Sequence, residues 1–428
     1  MKRNLLLIVN LLCGMLLAFP QSGTWSGNLK VQGMKLPLVF HLDGDKPTMD
    51  SPAQGAEGIP VNVTRIEPDS IHISIPSIMG SFGGRCDKDE ITGIFTQRGA
   101  RFPLVLQQVA NKQARPQTPR PPFPYSQEEV SFSNGDATLK GTLTLPEGYG
   151  RATPVVIMIT GSGLQNRDEE IFGHKPFAVI ADRLARNGVA SLRYDDRGFG
   201  ESTGDAVNST TEDFMRDALA GIGLLRERFD KVGVLGHSEG ATIALMLGAD
   251  RKVDFIVSLA AMAISGRETL MDQNRHALSQ SGFPQEVVEE YCSLLSSAFD
   301  GDSTLAQRLE SSGLPKELRQ NLQLVAQQVS QPYLRYFLAM NVADVVGRIK
   351  CPVLALNGTK DTQVDSSKNL EVLKKGLPAG KKNEIRSLED LNHLFQHCTT
   401  GNPDEYALIE ETISPEVLEI ITRWISTL

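Results

Sequence analysis

The sequence predicts an α/β fold in which a mostly parallel sheet is flanked by helices, with a helical insertion and a preceding all-β domain. Three observations predict it. Apolar runs of strand length end in turn residues, as buried parallel strands do, at residues 154–160, 232–236, 253–259 and 351–358. From about residue 264 to 346 the apolar spacing becomes helical. Before residue 110, short segments alternate polar and apolar residues, which is typical of half-buried strands.

The chain begins with the pattern of a secretory signal peptide, which we predict over residues 1–22. Two basic residues precede an apolar run over residues 5–18 that Asn10 interrupts. This run is shorter than the ~20 residues of a membrane-spanning helix, so a membrane anchor is disfavoured. Cys13 lacks the small residues that precede a lipidated cysteine, so a lipoprotein is disfavoured too. We therefore expect export to the periplasm or the extracellular space.

Residues 23–110 are expected to form a separate β-rich domain. Residues 70–75 alternate polar and apolar side chains, and similar segments with turn signals between them indicate a meander, either a small sheet or a partial barrel. No catalytic constellation falls within it, so a rigid packing role and the binding of substrate or polymer both stay open. The proline-dense residues 111–127 predict an extended, semi-rigid linker. Residues 128–428 then form the second domain.

A nucleophile motif lies at the end of one apolar run. Residues 236–240 read G-x-S-x-G, with a buried strand before them and the small apolar helix start at residues 241–245 after them. A sharp turn between strand and helix exposes the Ser238 hydroxyl, and the flanking Gly236 and Gly240 leave the room that such a strained turn needs. The strand–turn–helix context therefore predicts Ser238 as a nucleophile.

A base and an orienting acid follow later in the chain. Asp361 comes directly after the last strong apolar run, and His393 lies in the loop after a weaker strand candidate at residues 384–388. The order of serine, aspartate and histidine is that of a triad in which histidine takes the serine proton and aspartate orients the imidazole. Asp365 and Asp390 are rival acids, but Asp361 is preferred because it lies at a strand end.

The developing oxyanion needs donors as well. Residues 161–163 form a glycine-rich turn, Gly161-Ser162-Gly163, after the first apolar run. Such a turn can point a backbone N–H at negative charge. We predict that the N–H of Ser162, with Gly163 as its rival, acts together with the N–H of Glu239, the residue after the nucleophile. His237, inside the motif, is interpreted as a packing or loop residue.

From about residue 128 to the C-terminus the chain resembles the α/β-hydrolase superfamily. The resemblance rests on the order of the three candidate residues and on residues 195–202, which read as the superfamily's D-x-R-G-x-G-x-S turn. It implies an α/β-hydrolase fold with a helical cap at about residues 264–346 and a mainly structural role for that turn. Residues 161–168 resemble a loop of bacterial serine carboxylesterases with an extra N-terminal β domain, which implies ester hydrolysis.

Composition narrows the function classes. The 428 residues favour two or three structural units, and the net charge of −8 without any basic block argues against nucleic-acid binding. The five cysteines, one of them in the leader, show neither a disulfide framework nor a zinc spacing. We therefore expect a mechanism without metal or cofactor.

Two classes of function stay open. The first is an exported serine hydrolase that cleaves carboxylic esters of small molecules or acylated sugars, with a serine peptidase or amidase of the same fold as its variant. The second is a catalytically idle protein that binds a ligand through its β domain. The intact set of Ser238, Asp361 and His393 favours the first class. The acyl chain length and the oligomeric state stay open.

Overall fold

The computed structural model describes residues 23–31, 34–42, 46–54, 56–65, 70–87, 90–109, 115–379 and 382–428. The predicted signal peptide, with Cys13, and the first part of the predicted linker lie outside the described residues. Within the described ranges, no helix has both the length and the apolar character needed to cross a membrane. The chain forms two compact units, of which the larger includes residues 112–428.

The N-terminal strands form a single nine-stranded sheet among the described residues. The first strand lies inside it: β1 pairs antiparallel with β9, which joins a β4-β3-β2-β1 half to a β9-β8-β7-β6-β5 meander. In β6, the buried Ile71, Ile73 and Ile75 alternate with half-buried residues, as the sequence predicts. The strands are β1 (Thr24–Val31), β2 (Met34–His41), β3 (Thr48–Ser51), β4 (Ala56–Pro60), β5 (Asn62–Arg65), β6 (Ser70–Ile75), β7 (Gly80–Asp87), β8 (Glu90–Gln97) and β9 (Ala100–Val109), with short 3₁₀ turns at Pro52–Gln54 and Pro76–Ile78.

The larger unit is built on an eight-stranded sheet in the order β10-β11-β13-β12-β14-β15-β16-β17. The first two strands run antiparallel to their neighbours and the rest are parallel, which confirms the mostly parallel sheet. The strands are β10 (Tyr125–Asn134), β11 (Ala137–Pro146), β12 (Val155–Ile159), β13 (Ala190–Tyr194), β14 (Val232–His237), β15 (Ile256–Leu259), β16 (Val353–Gly358) and β17 (Glu384–Leu388). The chain passes from β12 to β13 on one side and then to β14 on the other, so a crevice is expected at the carboxyl ends of β12 and β14.

Helices cover both faces of this sheet. Alternate residues of β12 point to opposite faces, so that Ile157 packs in one apolar cluster and Met158 in the other. The first cluster includes Ala218 of α2 and residues of α3 and α10, and the second includes Phe177 of α1 and Trp424 of α11. These helices are α1 (Pro176–Arg186), α2 (Thr211–Arg226), α3 (Glu239–Ala249), α10 (Ser366–Gly376) and α11 (Pro415–Ser426), with a 3₁₀ segment at Pro403–Leu408.

Six helices lie between β15 and β16, where the sequence predicts a helical insertion. They are α4 (Gly266–Gln280), α5 (Gln285–Phe299), α6 (Leu305–Ser311), α7 (Lys316–Gln328), α8 (Pro332–Ala339) and α9 (Ala343–Val346). Leu295 and Leu318 belong to an apolar cluster made within the insertion. A smaller cluster packs Phe337 of α8 against Met262 and Val364 of the main body. The insertion therefore has its own core and a fixed contact with the sheet domain.

The described end of the proline-dense segment is attached to the larger unit. The Arg115 guanidinium donates to the carbonyl oxygens of Phe172, at 2.9 Å, and Ala407, at 3.1 Å. The Gln117 amide donates to the Ile413 carbonyl at 2.7 Å. Strand β10 begins at Tyr125, three residues before the expected domain start. This part of the segment is thus held by hydrogen bonds rather than spanning a gap.

Candidate active site

Ser238 lies at the turn between β14 and α3 with φ 53° and ψ −118°. This positive-φ conformation is rare for a residue other than glycine, and such strained backbone clusters at functional sites. The neighbouring glycines make it possible. A Cβ on Gly236 would lie 2.1 Å from the Gly240 carbonyl oxygen, and a Cβ on Gly240 would lie 2.0 Å from that of Ile159. The structure thus places Ser238 in the strained turn that its motif predicts.

His393 and Asp361 lie together at the carboxyl ends of β17 and β16. The His393 Nδ1 is 2.7 Å from Asp361 Oδ2, and both side chains are buried. The other carboxylate oxygen of Asp361 accepts the backbone N–H groups of Gln363 and Val364, each at 2.8 Å. Because the carboxylate is held by its own loop, it fixes the imidazole with Nε2 left for a reacting group.

The rival acids have other partners. The Asp365 carboxylate caps α10 by accepting the Lys368 N–H at 2.8 Å. Asp390 forms a 2.8 Å ion pair with Lys360, and its side chain is 66% exposed. The hydrogen bond from Lys360 holds the pKa of Asp390 below its usual value. The structure therefore does not bring either carboxylate to His393.

Ser238 and His393 share the wall of a cavity of about 340 Å³. Its lining draws on several parts of the chain, among them the glycine-rich turn after β12, the segment after β15 with the inserted helices, and loops near His393. From these sources it includes Gly161, Ser162, Gly163, Leu164, Gln165, Met262, Leu270, Gln273, Tyr333, Leu334, Phe337, Gln363, Leu394 and Tyr406. The predicted nucleophile and base therefore face one cavity that is large enough for a small ligand.

The glycine-rich turn runs directly beside the nucleophile. A Cβ on Gly161 would lie 3.2 Å from the Ser238 Cβ, and Gly163 has φ 92°. The Gly161 N–H already donates to a Glu169 carboxylate oxygen at 2.7 Å, which leaves the next two N–H groups, those of Ser162 and Gly163, as candidate oxyanion donors. On the other side, the first N–H groups of α3 have no acceptor within their own helix. Helix geometry therefore leaves the predicted Glu239 N–H without an intrahelical partner.

The Glu239 carboxylate is buried, with 3% of the residue exposed, and it has two hydroxyl partners. One oxygen accepts the Thr211 hydroxyl at 2.7 Å and the other accepts the Tyr333 hydroxyl at 2.5 Å. Burial and the charge of Glu239 raise the pKa of Tyr333 well above its ordinary value. Tyr333 therefore stays a neutral donor. The sequence places Glu239 beside the nucleophile but gives no sign of these partners.

His237 contacts a different carboxylate from the one that His393 contacts. Its Nδ1 is 3.0 Å from a Glu169 carboxylate oxygen and its Nε2 is 2.9 Å from the His393 carbonyl oxygen. Both partners are acceptors, so both ring nitrogens donate and the imidazole is a cation. Burial alone lowers the pKa of His237, but the charge and hydrogen bond of Glu169 outweigh it and raise that pKa. His237 thus links the strand–helix turn at Ser238 (the elbow) to the loops that carry Glu169 and His393.

The D-x-R-G-x-G-x-S turn supports the same region. The buried Asp196 accepts the Thr160 hydroxyl at 2.9 Å and the Gln165 N–H at 2.8 Å. Burial raises the pKa of Asp196 well above its usual value. Arg197 forms a buried ion pair with Asp217 at 2.6 Å. Through Asp196, this turn holds the glycine-rich loop in place, which agrees with the structural role that the resemblance implies.

Comparison with known proteins places the chain among hydrolases. The model of the family described as serine aminopeptidase, S33, matches residues 175–397, slightly more than half of the chain. The chain is 29% identical over 303 residues to the esterase EstD of Thermotoga maritima, which covers 69% of this chain and 68% of EstD.

Solved structures of similar architecture include an esterase of Pyrococcus furiosus and a proline iminopeptidase of Mycobacterium smegmatis. The esterase is 17% identical, with a TM-score of 0.45, and the match covers 71% of this chain and 91% of that one. The iminopeptidase is 14% identical, with a TM-score of 0.44, and the match covers 70% and 98%.

Proposed function

The chain belongs to the serine aminopeptidase S33 family of α/β-hydrolases, and on that premise we propose that it is an exported serine hydrolase that cleaves carboxylic esters. One observation carries the proposal. Ser238, held at φ 53°, faces the same cavity as His393, whose Nδ1 is bonded to the buried Asp361. Nucleophile, base and orienting acid are the parts that acyl transfer requires.

The reaction proceeds through an acyl-enzyme. The Ser238 oxygen attacks the ester carbonyl carbon while His393 Nε2 takes the serine proton, and Asp361 stabilises the imidazolium. When the tetrahedral intermediate collapses, the carbon–oxygen bond to the alcohol breaks and His393 returns the proton to the leaving oxygen. Water then enters, gives a proton to His393 and attacks the acyl carbon, which releases the acid and restores Ser238.

The oxyanion is held by two backbone donors. The N–H of Ser162, or its rival Gly163, comes from the turn after β12, and the N–H of Glu239 comes from the start of α3. The positive end of the α3 dipole adds to the second donor. Loss of one such donor typically lowers kcat by about 10²–10³-fold.

The cavity supports a small ester as the substrate. Its volume of about 340 Å³ is at the lower end of the range for small-molecule sites. Met262, Leu270, Leu334 and Phe337 supply an apolar wall, to which the inserted helices contribute as a cap, and this wall suits the acyl group. The glutamines in the lining, among them Gln165, suit a small alcohol or an acylated sugar on the leaving side.

The first experiment measures hydrolysis of nitrophenyl esters from acetate to long acyl chains by the mature protein, Ser238→Ala and the control Ser281→Ala, which removes an exposed hydroxyl at the end of α4. We expect activity in the wild type and the control, and its loss in Ser238→Ala. Retained activity in Ser238→Ala, or an inert wild type, contradicts the esterase.

Aminoacyl nitroanilides run in parallel test the peptidase and amidase variant. A higher kcat/KM on these amides than on every ester would assign the site to that variant. A protein inert on both substrate classes would instead favour the idle ligand-binding class. N-terminal sequencing of the exported protein tests cleavage of the predicted signal peptide after about residue 22.

A further inference from the structure

The wall of the Ser238 cavity carries two glutamine side chains that are each held by one end of the amide group. Gln273, on α4, and Gln363, in the loop after β16, both line the cavity and are half-buried. The Gln273 amide nitrogen donates to the Gln363 carbonyl oxygen at 2.9 Å. The Gln363 amide nitrogen donates to the Tyr406 hydroxyl at 2.9 Å. Each side chain is therefore fixed through its nitrogen.

The two amide oxygens are left as hydrogen-bond acceptors. Within the described part of the chain, the side-chain oxygens of Gln273 and Gln363 have no protein partner, and neither is fully buried. An amide oxygen has two lone pairs, and in a cavity it accepts hydrogen bonds from water or from a ligand. A ligand that satisfies both oxygens must therefore bring donor groups of its own.

The loop of Gln363 also supports the triad. Its backbone N–H donates to Asp361 Oδ1 at 2.8 Å, and Asp361 Oδ2 is 2.7 Å from His393 Nδ1. Because His393 returns its proton to the leaving oxygen, the alcohol of the ester has to lie next to His393. Leu334 and Phe337 of α8 belong to the apolar wall instead. This arrangement favours the glutamine side of the cavity for the alcohol and the apolar wall for the acyl group.

We propose that Gln273 and Gln363 are specificity-determining residues that bind hydroxyl groups of the alcohol, so that the substrate is an acylated monosaccharide. The inference rests on the proposed esterase function and narrows its substrate class. A sugar ring presents several hydroxyl donors at fixed positions, which suits acceptors that are themselves held in place. An alcohol without further hydroxyl groups would displace water from the two oxygens and leave them unpaired, which disfavours it.

The test uses two acetate esters of the same shape. Methyl 6-O-acetylglucoside has three free hydroxyl groups on its ring, and cyclohexylmethyl acetate has none. Release of acetic acid from each ester is followed in a pH-stat. We expect the wild-type kcat/KM for the sugar ester to exceed that for the cyclohexyl ester by at least about 10-fold, because two neutral hydrogen bonds contribute about 3- to 10-fold each. The ratio is taken within each protein, so a general change in activity cancels.

Gln273→Met and Gln363→Met each remove one amide and keep the length of the side chain. Each variant should lower the ratio of the two kcat/KM values by about 3- to 10-fold. The control Gln280→Met changes an exposed glutamine at the end of the same helix as Gln273 and should keep the wild-type ratio. The double variant of Gln273 and Gln363 should no longer prefer the sugar ester.

The results distinguish failure of the hydroxyl site from failure of the esterase. A wild type that hydrolyses nitrophenyl esters but does not prefer the sugar ester overturns the hydroxyl site and leaves the esterase standing. A ratio that stays unchanged in Gln273→Met or in Gln363→Met, or that falls equally in Gln280→Met, overturns it as well. A wild type that is inert on every ester, or an active Ser238→Ala, contradicts the esterase and this inference together.

Discussion

Replacing Glu169 with glutamine tests the network beneath the nucleophile. Glu169 is 3% exposed, and one of its oxygens accepts both the Gly161 N–H, at 2.7 Å, and His237 Nδ1, at 3.0 Å. Glutamine keeps the shape and an acceptor oxygen but removes the charge. Breaking a buried ion pair typically costs 3–5 kcal/mol, but His237 can release its proton in the variant. We therefore expect Glu169→Gln to lower the free energy of unfolding by about 2–3 kcal/mol at pH 6.

The loss should depend on pH with a defined sign. The pKa of His237 is raised above its ordinary value of 6.5 in the folded protein. The stability that the charged imidazole contributes is therefore fully present below about pH 6.5 and is lost as pH rises through the folded pKa. The difference in unfolding free energy between the wild type and Glu169→Gln should accordingly be largest near pH 6 and should decrease as the solution becomes alkaline.

Urea unfolding at pH 6 and at pH 9, followed by circular dichroism, measures both effects. The matched control is Glu411→Gln, which removes the carboxylate that lies 2.9 Å from His397 Nδ1, where the histidine side chain is 59% exposed. An exposed pair of this kind contributes at most about 1 kcal/mol. The buried ion pair is refuted if Glu169→Gln loses no more unfolding free energy than the control does. It is also refuted if the loss is equal at both pH values.

Two further substitutions test the triad and the elbow. Asp361→Asn should lower kcat on nitrophenyl esters by about 10⁴-fold, because the amide favours the wrong imidazole tautomer, whereas Asp365→Asn at the α10 cap should stay within about twofold. Equal kcat values in the two variants would contradict the assignment of the acid. Gly240→Ala places a Cβ 2.0 Å from the Ile159 carbonyl oxygen and should abolish soluble, active protein. Gly223→Ala, where a Cβ meets nothing within 4 Å, should keep the yield and the thermal midpoint, and wild-type activity in Gly240→Ala would contradict the strained turn.

The sequence predicts β12, β14, β15 and β16 well because each lies in a mostly apolar run, whereas β13, which carries Ser191 and Arg193, gives no such run. Every residue of β14 and β16 is buried, as expected for strands of a parallel sheet that is covered on both faces. Strand β10, at the sheet edge, is harder to place. Its half-exposed residues follow directly on the proline-dense segment, so nothing in the pattern separates the end of that segment from Tyr125. Edge strands bury one face at most, and their apolar signal is correspondingly weak.

Some residues of the candidate site can be predicted from their neighbours in the sequence, whereas others depend on contacts between distant parts of the chain. Ser238 can be predicted because the strand, the two glycines and the helix start adjoin it in the sequence. Asp361 and His393 can be predicted because each of them follows a strand. The roles of Glu169 and Tyr333 cannot be predicted in this way. Glu169 is 68 residues from its partner His237, and Tyr333 is 94 residues from its partner Glu239. Residues 332–337 include three aromatic side chains, and which of them face the cavity depends on where the insertion folds against the sheet. Tyr333 and Phe337 prove to line the cavity.

Three buried carboxylates surround the loop after β12, an arrangement that by itself opposes an oxyanion at Ser238. The structure offsets each of them differently. Glu169 is paired with the cationic His237. Burial, together with the charges of Glu169 and Glu239, raises the pKa of Asp196 well above its usual value and so disfavours a further negative charge there. The Glu239 carboxylate is turned toward two hydroxyl donors, one of them from the inserted helix. The acids can therefore serve as hydrogen-bond anchors for the loop and the elbow while the N–H groups beside Ser238 stay available to negative charge.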